Sequence, residues 1–429
     1  MLDRTVAPPV QPLASVTLPA ADVLSLPNGA RLHVMRNNAQ PVVRLQIVFP
    51  AGKWYESGPS ISLLTARMLL EGTRTRTARQ IADEIAFYGA SLECEQGFDR
   101  ATLTLYCLTR HLNKLLPLVL DVATNATFPD PEFDLLKIRT IQNVRIERQK
   151  NGYLASERFS RNLYGPTYPY GMTFDEGLVQ QIPAEAVRAF YQLAYRMPAA
   201  ELFLCGDVND QHQQEVSTLF GHIATTAESP IAATPTTPVS NPLHDQVVVA
   251  DSLQSSLRIG RLWVPPTHPD YHSLQVLVKV LGGYFGSRLM RNIREDKGFT
   301  YGIHASVSLR EHATSIVIGT DVNAASTTDA IQEIHNEMNR LQQDLIPEEE
   351  LQTVKNYMLG KFANGLSTVF EQCDKYKAIV FLNLPTEYYS NFLEQISNVA
   401  SDGLLLLAQK YLSPNQMIEV ISGPAIHRQ

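Results

Sequence analysis

The order of helical and strand-like segments occurs twice along this chain of 429 residues. In the first half, strand-like runs lead up to Ala51. Two helical runs, two alternating strands and two further helices follow, the last ending near Gln149. From Gln246 onward the same order returns, with a short additional helix before the two alternating strands. Each copy carries amphipathic elements whose apolar faces need a core of their own, so the repeat predicts two homologous domains.

A pair of similar motifs gives the offset between the two copies. FPDPEFDLLK and LIPEEELQTVK align with Lys137 opposite Lys355, about 218 positions apart. Proline before acidic residues is also a general helix-start signal, so the motif supports the repeat only together with the element order. Each half mixes alternating strands with helices that must cover one sheet face. We therefore expect an α+β fold in which each domain is a mostly antiparallel sheet covered by helices.

A composition change separates the two copies. The segment Thr225–Asn241 is rich in Thr, Pro, Ala and Ser and has neither helical nor strand periodicity, which is typical of a linker. The expected organisation is an extended N-terminal arm at 1–21, a first domain at 22–224, a linker at 225–245 and a second domain at 246–429.

Composition and charge exclude two classes of partner. Apolar residues make up 44% and charged residues 18% of the chain, and the formal net charge is -7. Lysine and arginine form no cluster, so nucleic acid is not an expected partner. No run of about 18 apolar residues occurs, so no membrane span is expected. The N-terminal arm lacks the basic and apolar regions of a signal peptide, and both cytoplasmic and periplasmic locations stay open.

The four cysteines, Cys94, Cys107, Cys205 and Cys373, show no C-x-x-C spacing. Cys94 and Cys107 fall in neighbouring strand-like runs and could approach each other. Buried free thiols are the favoured interpretation, because the cysteines are scattered through apolar segments.

Arg294 and Tyr301 are the candidate functional residues of the second half. In SRLMRNIREDKGFTYGIHAS, a helical segment carrying Arg294 ends at Lys297-Gly298, and an alternating strand carrying Tyr301 follows at once. A guanidinium and a phenol are hydrogen-bond donors suited to a peptide carbonyl or its oxyanion. The local pattern is equally compatible with a surface arginine and a half-buried strand tyrosine.

Several motifs, in their order and spacing, resemble the pitrilysin/insulinase family of inverted-motif zinc peptidases. They are ARLHVMRNN after the opening NG turn, PVVRLQIVFPAGKWYE, a helix ending in LLEGT, LYG-x-x-YPYG and SRLMRNIREDKGFTYGI. Together they cover nearly the whole chain. The resemblance implies two homologous α+β domains that face one another, as in mitochondrial processing peptidases and bacterial two-subunit peptidases.

The metal-binding motif of that family is degenerate here. Active members carry H-x-x-E-H before the GT corner, in which two histidines bind zinc and the glutamate activates water. These positions fall on Leu63, Ala66 and Arg67, and the third ligand falls near Val144, with Glu147 one turn away. Leucine and alanine cannot ligate zinc, and arginine places a positive charge where the dication would lie. We therefore expect no metal and no other cofactor on this chain.

Other catalytic motifs are weak or missing. His268 and His272 have i, i+4 spacing, but the intervening proline favours a structural role at a helix start. The chain has no G-x-S-x-G nucleophile elbow. The glycines of GGYFG do not follow a strand into a helix with a G-x-G-x-x-G pattern, so phosphate or dinucleotide binding is not expected.

The resemblance implies a role for Arg294 and Tyr301 in trans. In bacterial two-subunit members, one chain carries zinc and the other carries an Arg–Tyr pair that reaches the scissile region. The expected function is a zinc-free, substrate-positioning subunit whose partners are a homologous zinc-bearing subunit and an unfolded peptide. Two alternatives stay open: a structural scaffold without a peptidase role, and an autonomous metallopeptidase with an unrecognised site.

The glycine-rich turn GGYFG precedes this pair. Gly282, Gly283 and Gly286 could let a peptide backbone approach closely, or could simply end a helix and allow a turn. We expect them to belong to the substrate-binding residues. Peptide addition to the edge of a sheet is a further expected mode of binding.

Overall fold

The computed structural model describes residues 18–223 and 238–426. The strands are β1 (Asp22–Ser25), β2 (Arg31–Arg36), β3 (Val42–Phe49), β4 (Ser91–Gln96), β5 (Ala101–Leu108), β6 (Glu201–Gly206), β7 (His244–Val248), β8 (Gln254–Trp263), β9 (Thr300–Leu309), β10 (Thr314–Asn323) and β11 (Ile418–Gly423). The helices of the first half are α1 (Ile61–Met68), α2 (Ala78–Phe87), α3 (Leu112–Asn125), α4 (Asp130–Glu147), α5 (Asn151–Tyr164), α6 (Glu176–Gln181), α7 (Ala184–Ala194) and α8 (Asp210–Gly221). Those of the second half are α9 (Tyr271–Gly282), α10 (Thr327–Gln343), α11 (Glu348–Asn364), α12 (Val369–Phe381), α13 (Tyr388–Asn398) and α14 (Ser401–Tyr411).

The two sheets have the same strand order. The first sheet runs β1-β2-β6-β3-β5-β4 and the second runs β7-β11-β8-β10-β9, so they differ only by the extra edge strand β1. In each sheet one pair is parallel, β2 with β6 and β7 with β11, and the other pairs are antiparallel. The predicted α+β fold with mostly antiparallel sheets is confirmed.

Matching elements keep a nearly constant offset along the chain. Helices α4 and α11 begin at Asp130 and Glu348, 218 positions apart. Strands β6 and β11 begin at Glu201 and Ile418, 217 positions apart. The offset that the Lys137–Lys355 alignment predicts therefore holds through the later elements of both halves.

Each sheet packs its inner face on a separate apolar core. The first core joins strand residues such as Leu45 and Leu105 to helix residues such as Leu116. The second joins Ile259 and Ile318 to helices α9, α10, α11 and α14. Alternation of apolar side chains along the strands directs one face of each sheet into its core.

Two helices cross between the halves. Phe159 and Leu163 of α5 pack with Ile418 and Val420 of β11, on the outer face of the second sheet. In the matching position, Cys373 of α12 packs on β6 of the first sheet. Each half thus supplies a helix that covers the sheet of the other half, and the expected domain boundaries cut through this packing.

The corresponding hairpin turns of the two sheets contact each other. Arg100, at the β4–β5 turn, forms an ion pair with Glu311 at the β9–β10 turn, with Nε to Oε1 at 2.5 Å. Asp99 accepts a hydrogen bond from the backbone N–H of Glu311 at 3.1 Å. His312 stacks on Trp54, with ring centroids 3.7 Å apart. These contacts fix the two halves against each other.

Some sequence predictions fall outside the described residues. The arm at 1–21 and the linker at 225–245 lie there for the most part, and β7 begins at His244, inside the expected linker. All four cysteines are free thiols; Cys107, Cys205 and Cys373 are buried as expected, whereas Cys94 is only partly buried. Within 18–223 and 238–426, no helix is long and apolar enough to cross a membrane.

Candidate functional site

A tight corner between helix and strand positions Arg294 and Tyr301. A π-helical segment, Met290–Asp296, carries Arg294 and stops where Gly298 adopts a left-handed backbone with φ +66°. That conformation favours glycine because it has no Cβ. The backbone N–H of Phe299 then donates to Ile293 O at 3.0 Å, which closes the corner immediately before β9.

A β-bulge places Tyr301 in solvent. Strand β9 pairs with β10 through Ile303 opposite Thr320 and through Thr300 opposite Val322, so β9 has one residue more than β10 between these pairs. A bulge of this kind bends the strand and redirects a side chain. Tyr301 lies within it and is 96% exposed. The alternative of a half-buried strand tyrosine is therefore wrong.

Arg294 and Tyr301 line the same cavity, here called the Arg–Tyr cavity. Its volume is about 860 Å³, and Leu253 and Asp321 are also in its wall. Within the described part of the chain, Arg294 forms no ion pair with a carboxylate. Its guanidinium carbon lies 4.6 Å from the ring centre of Phe285 instead. Both side chains thus bring free hydrogen-bond donors to one place.

The predicted glycines line a neighbouring cavity rather than the Arg–Tyr cavity. Gly282 and Gly283, together with His304 of β9, line a space of about 490 Å³, here called the glycine cavity, and Gly286 does not line it. A Cβ on Gly282 would lie 2.8 Å from the backbone nitrogen of Ala305. Close packing of α9 on β9 therefore requires glycine at 282. A contact of these glycines with peptide stays a prediction.

Strand β9 forms one edge of the second sheet. It supplies Thr300 and Tyr301 to the Arg–Tyr cavity, and His304 and Ser306 to the glycine cavity. An edge strand has backbone N–H and C=O groups without strand partners on its outer side. The two cavities therefore open along a strand that can pair with an extended peptide.

The degenerate metal positions lie between α1 and α4. Leu63 and Val144 line one cavity of about 410 Å³, here called the α1–α4 cavity. Arg67 is exposed and donates to Thr140 Oγ1 at 3.2 Å, one turn before Val144 on α4. Ala66 is buried and is not in the cavity wall. The structure thus brings the positions of the predicted first and third ligands together.

The side chains at these positions do not fit a zinc ion. Leu63 and Val144 have no donor atom, and Arg67 has only N–H groups that carry positive charge. Glu147 forms an ion pair with Lys150, with 2.6 Å between Lys150 Nζ and Glu147 Oε1, and it is not in the cavity wall. Among the residues that the structure describes, no group of three His, Cys, Asp or Glu side chains could hold a metal.

Glu56 is a carboxylate of the α1–α4 cavity that the sequence patterns did not single out. Its Oε2 accepts hydrogen bonds from Ser62 N at 3.2 Å and Ser62 Oγ at 2.7 Å, at the first turn of α1. Burial raises the pKa of Glu56, although the hydrogen bonds from Ser62 and the charge of Lys53 act in the opposite direction. Burial also lowers the pKa of Lys53. Glu56 therefore caps the first turn of α1 through Oε2, and its buried Oε1 has no hydrogen-bond partner among the described residues.

His268 and His272 do not form a metal site either. His272 is buried, with ring centroids 4.8 Å from Tyr388 and 5.4 Å from Phe392, and burial lowers its pKa. His268 lies at the helix start, and its Nδ1 accepts from the backbone N–H of Asp270 at 3.0 Å. The predicted structural role of this pair agrees with these contacts.

Both halves of the chain match known protein families. Residues 32–169 match the family model described as insulinase (peptidase family M16), and residues 181–358 match the one described as peptidase M16 inactive domain. The protein named uncharacterized zinc protease YmxG of Bacillus subtilis (strain 168) is 23% identical over 353 residues, which are 80% of this chain and 83% of that protein. The protein named non-peptidase homolog YmxG of Helicobacter pylori is 20% identical over 384 residues, 87% of each chain.

A solved structure gives the same fold. It is the crystal structure of a peptidase M16 inactive domain from Pseudomonas fluorescens, with a TM-score of 0.84 and 23% identity. The match covers 95% of this chain and 99% of the other. At this identity the likeness concerns the architecture of the two halves.

Proposed function

Because the chain belongs to the pitrilysin/insulinase (M16) family, we propose that it is a zinc-free subunit that positions peptide substrate for a zinc-bearing partner chain. Arg294 and Tyr301 are the substrate-contacting residues in this proposal. The coarser conclusion, an insulinase-like protein without catalytic activity of its own, agrees with relatives named non-peptidase homolog and probable inactive metalloprotease.

The proposal rests on one observation. Side chains that can donate hydrogen bonds to a substrate are present in this chain, whereas the ligands for a metal are missing. The Arg–Tyr cavity presents a guanidinium without an ion pair among the described residues and a phenol that is 96% exposed. The α1–α4 cavity presents leucine and valine. A chain that has lost only the metal-binding half of such a site can still contribute the other half to a shared one.

The two cavities are also separate within this chain. No lining residue is common to the Arg–Tyr cavity and the α1–α4 cavity. In this proposal the attacking water comes from a second chain, because Leu63 and Val144 at the predicted metal positions of this chain have no ligand atoms.

The chemistry of the pair suits a peptide carbonyl. In the proposed assembly the partner supplies the attacking water, and negative charge develops on the carbonyl oxygen. Arg294 and Tyr301 donate hydrogen bonds to that oxygen, and the guanidinium adds its positive charge. The peptide lies along the free edge of β9, where backbone hydrogen bonds hold an extended chain without regard to its sequence.

The test is reconstitution with a zinc-bearing M16 homologue encoded in the same genome. We expect the two chains to co-elute in size-exclusion chromatography and to cleave an unfolded protein such as reduced, alkylated casein. This chain alone should cleave nothing. Cleavage by the isolated chain with bound zinc would establish an autonomous peptidase. A stable assembly in cells without a zinc-bearing homologue would favour the scaffold.

A further inference from the structure

We infer that Phe285 is a positioning residue that holds the guanidinium of Arg294 toward the substrate; this inference rests on the proposed function. The guanidinium carbon of Arg294 lies 4.6 Å from the centre of the Phe285 ring. At that distance a cation above the ring is attracted by the π electrons.

The stack leaves the donors of Arg294 available. A carboxylate partner would take up the N–H groups and neutralise the charge, as Glu350 does for Arg288 with two hydrogen bonds at 3.0 and 2.9 Å. The Phe285 ring has no oxygen or nitrogen atom that could accept those N–H groups, so they stay available to an incoming oxygen. Phe285 therefore restricts the long side chain without consuming the groups that bind substrate.

The glycine-rich turn explains why Phe285 is in this position. Phe285 is 64% exposed, whereas the preceding Tyr284 folds back and packs on Tyr357 with ring centroids 5.1 Å apart. A Cβ on Gly286 would lie 2.9 Å from the Tyr284 ring. Glycine at 286 thus allows two adjacent aromatic side chains to point in different directions, one into the protein and one under Arg294.

Phe285 also stands between the two cavities of β9. It lines the glycine cavity, whereas Arg294, which stacks on it, lines the Arg–Tyr cavity. An exposed phenylalanine contributes little to folding, since most of its surface stays in water. The contact with Arg294 explains why Phe285 lies exposed beside the glycine cavity.

The experiment uses the reconstituted two-chain enzyme with reduced, alkylated casein and six versions of this chain. They are wild type, Phe285→Leu, Phe285→Tyr, Arg294→Ala, the double variant Phe285→Leu/Arg294→Ala and the control Phe87→Leu. Phe285→Leu should lower kcat/KM about two- to fivefold, the range of an exposed cation–π contact. Phe285→Tyr should retain the wild-type rate. In the Arg294→Ala background, Phe285→Leu should have no further effect, because Phe285 acts through Arg294.

A matched control is Phe87→Leu, which removes another exposed phenylalanine, on α2, and should leave the rate unchanged. If Arg294→Ala lowers the rate but Phe285→Leu does not, the inference is wrong and the proposed function stands. The same holds if Phe285→Leu lowers the rate equally with and without Arg294. If Arg294→Ala is fully active, or the mixture cleaves nothing, the proposed function itself fails.

Discussion

Leu63 of α1 and Val144 of α4 line the same cavity of about 410 Å³. From the spacing of the motifs, we predict that they correspond to two of the zinc-ligand positions of the active family members. Arg67 extends from α1 to Thr140, one turn from Val144 on α4. The two helices therefore lie side by side at these positions, while the side chains of Leu63 and Val144 lack metal-binding atoms.

This arrangement predicts that zinc binding can be restored by ligands alone. The triple variant Leu63→His, Arg67→His, Val144→Glu should bind about one zinc ion per chain, because two imidazoles and a carboxylate then face one another. The measurement is metal analysis after dialysis, together with the shift of Tm on adding zinc. The double variant without Val144→Glu is the control and should bind more weakly. Equal binding by both variants would show that Val144 is not the third position.

An ion pair holds α12 on the first sheet, and we predict that its loss destabilises the protein. Arg44 is 4% exposed and donates to both oxygens of Asp374, at 2.9 and 3.1 Å. Asp374→Ala should destabilise the protein by about 2 kcal/mol in urea unfolding, because it leaves a buried cation without its carboxylate. The cost stays below that of a fully buried pair, since Asp374 is 50% exposed.

The control for that variant is Asp83→Ala. Asp83 pairs with Arg79 on the surface at 3.6 Å, and its loss should change stability by less than about 0.5 kcal/mol. Similar losses from the two variants would mean that α12 is not anchored through Arg44.

Because His272 is buried, we predict that the stability of the protein depends on pH. Burial lowers its pKa below the usual 6.5, so the folded protein keeps the imidazole neutral while the unfolded chain takes up a proton near pH 6.5. Its contribution is therefore fully present above pH 6.5 and is lost as the pH falls toward the folded pKa. We expect the urea midpoint of the wild type to fall more between pH 7.5 and 5.5 than that of His272→Phe. Parallel pH profiles would contradict this.

We predict that a side chain at position 282 creates a packing defect between α9 and β9. Gly282→Ala should destabilise the protein by about 1–3 kcal/mol, since the added methyl carbon would lie 2.8 Å from a backbone nitrogen of β9. Gly360→Ala is the matched control, because a Cβ there meets nothing within 4 Å in the middle of α11. It should be neutral or stabilise by up to about 1 kcal/mol. Equal Tm values for Gly282→Ala and wild type would show that the packing of α9 on β9 does not require glycine at position 282.

The sequence predicts the local elements well. Periodicity and turn residues place the strands and helices of the first half up to Gln149 and those of the second half up to the start of α11. The repeat of their order predicts the two sheets. These features depend on residues close together in the chain, so the pattern contains them directly.

Long-range features could not be obtained in this way. Pairing of β6 between β2 and β3, and the crossing of α5 and α12 to the opposite sheets, depend on packing between distant segments. The bulge that exposes Tyr301 needs the register of two strands, which no local pattern contains. At the candidate site, the residue types of Arg294 and Leu63 were informative, whereas Phe285 and Glu56 needed coordinates.

Arg294 and Tyr301 are proposed to act on substrate in a two-chain enzyme. The most direct measurement is kcat/KM of the reconstituted enzyme with Arg294→Ala, Tyr301→Phe or Arg291→Ala. Arg291 is an exposed arginine of the same π-helical segment outside the Arg–Tyr cavity and serves as the matched control. We predict that kcat/KM falls by a factor of about 10²–10³ for Arg294→Ala, falls strongly for Tyr301→Phe and changes by less than about twofold for Arg291→Ala. Full activity of the Arg294 and Tyr301 variants would contradict it.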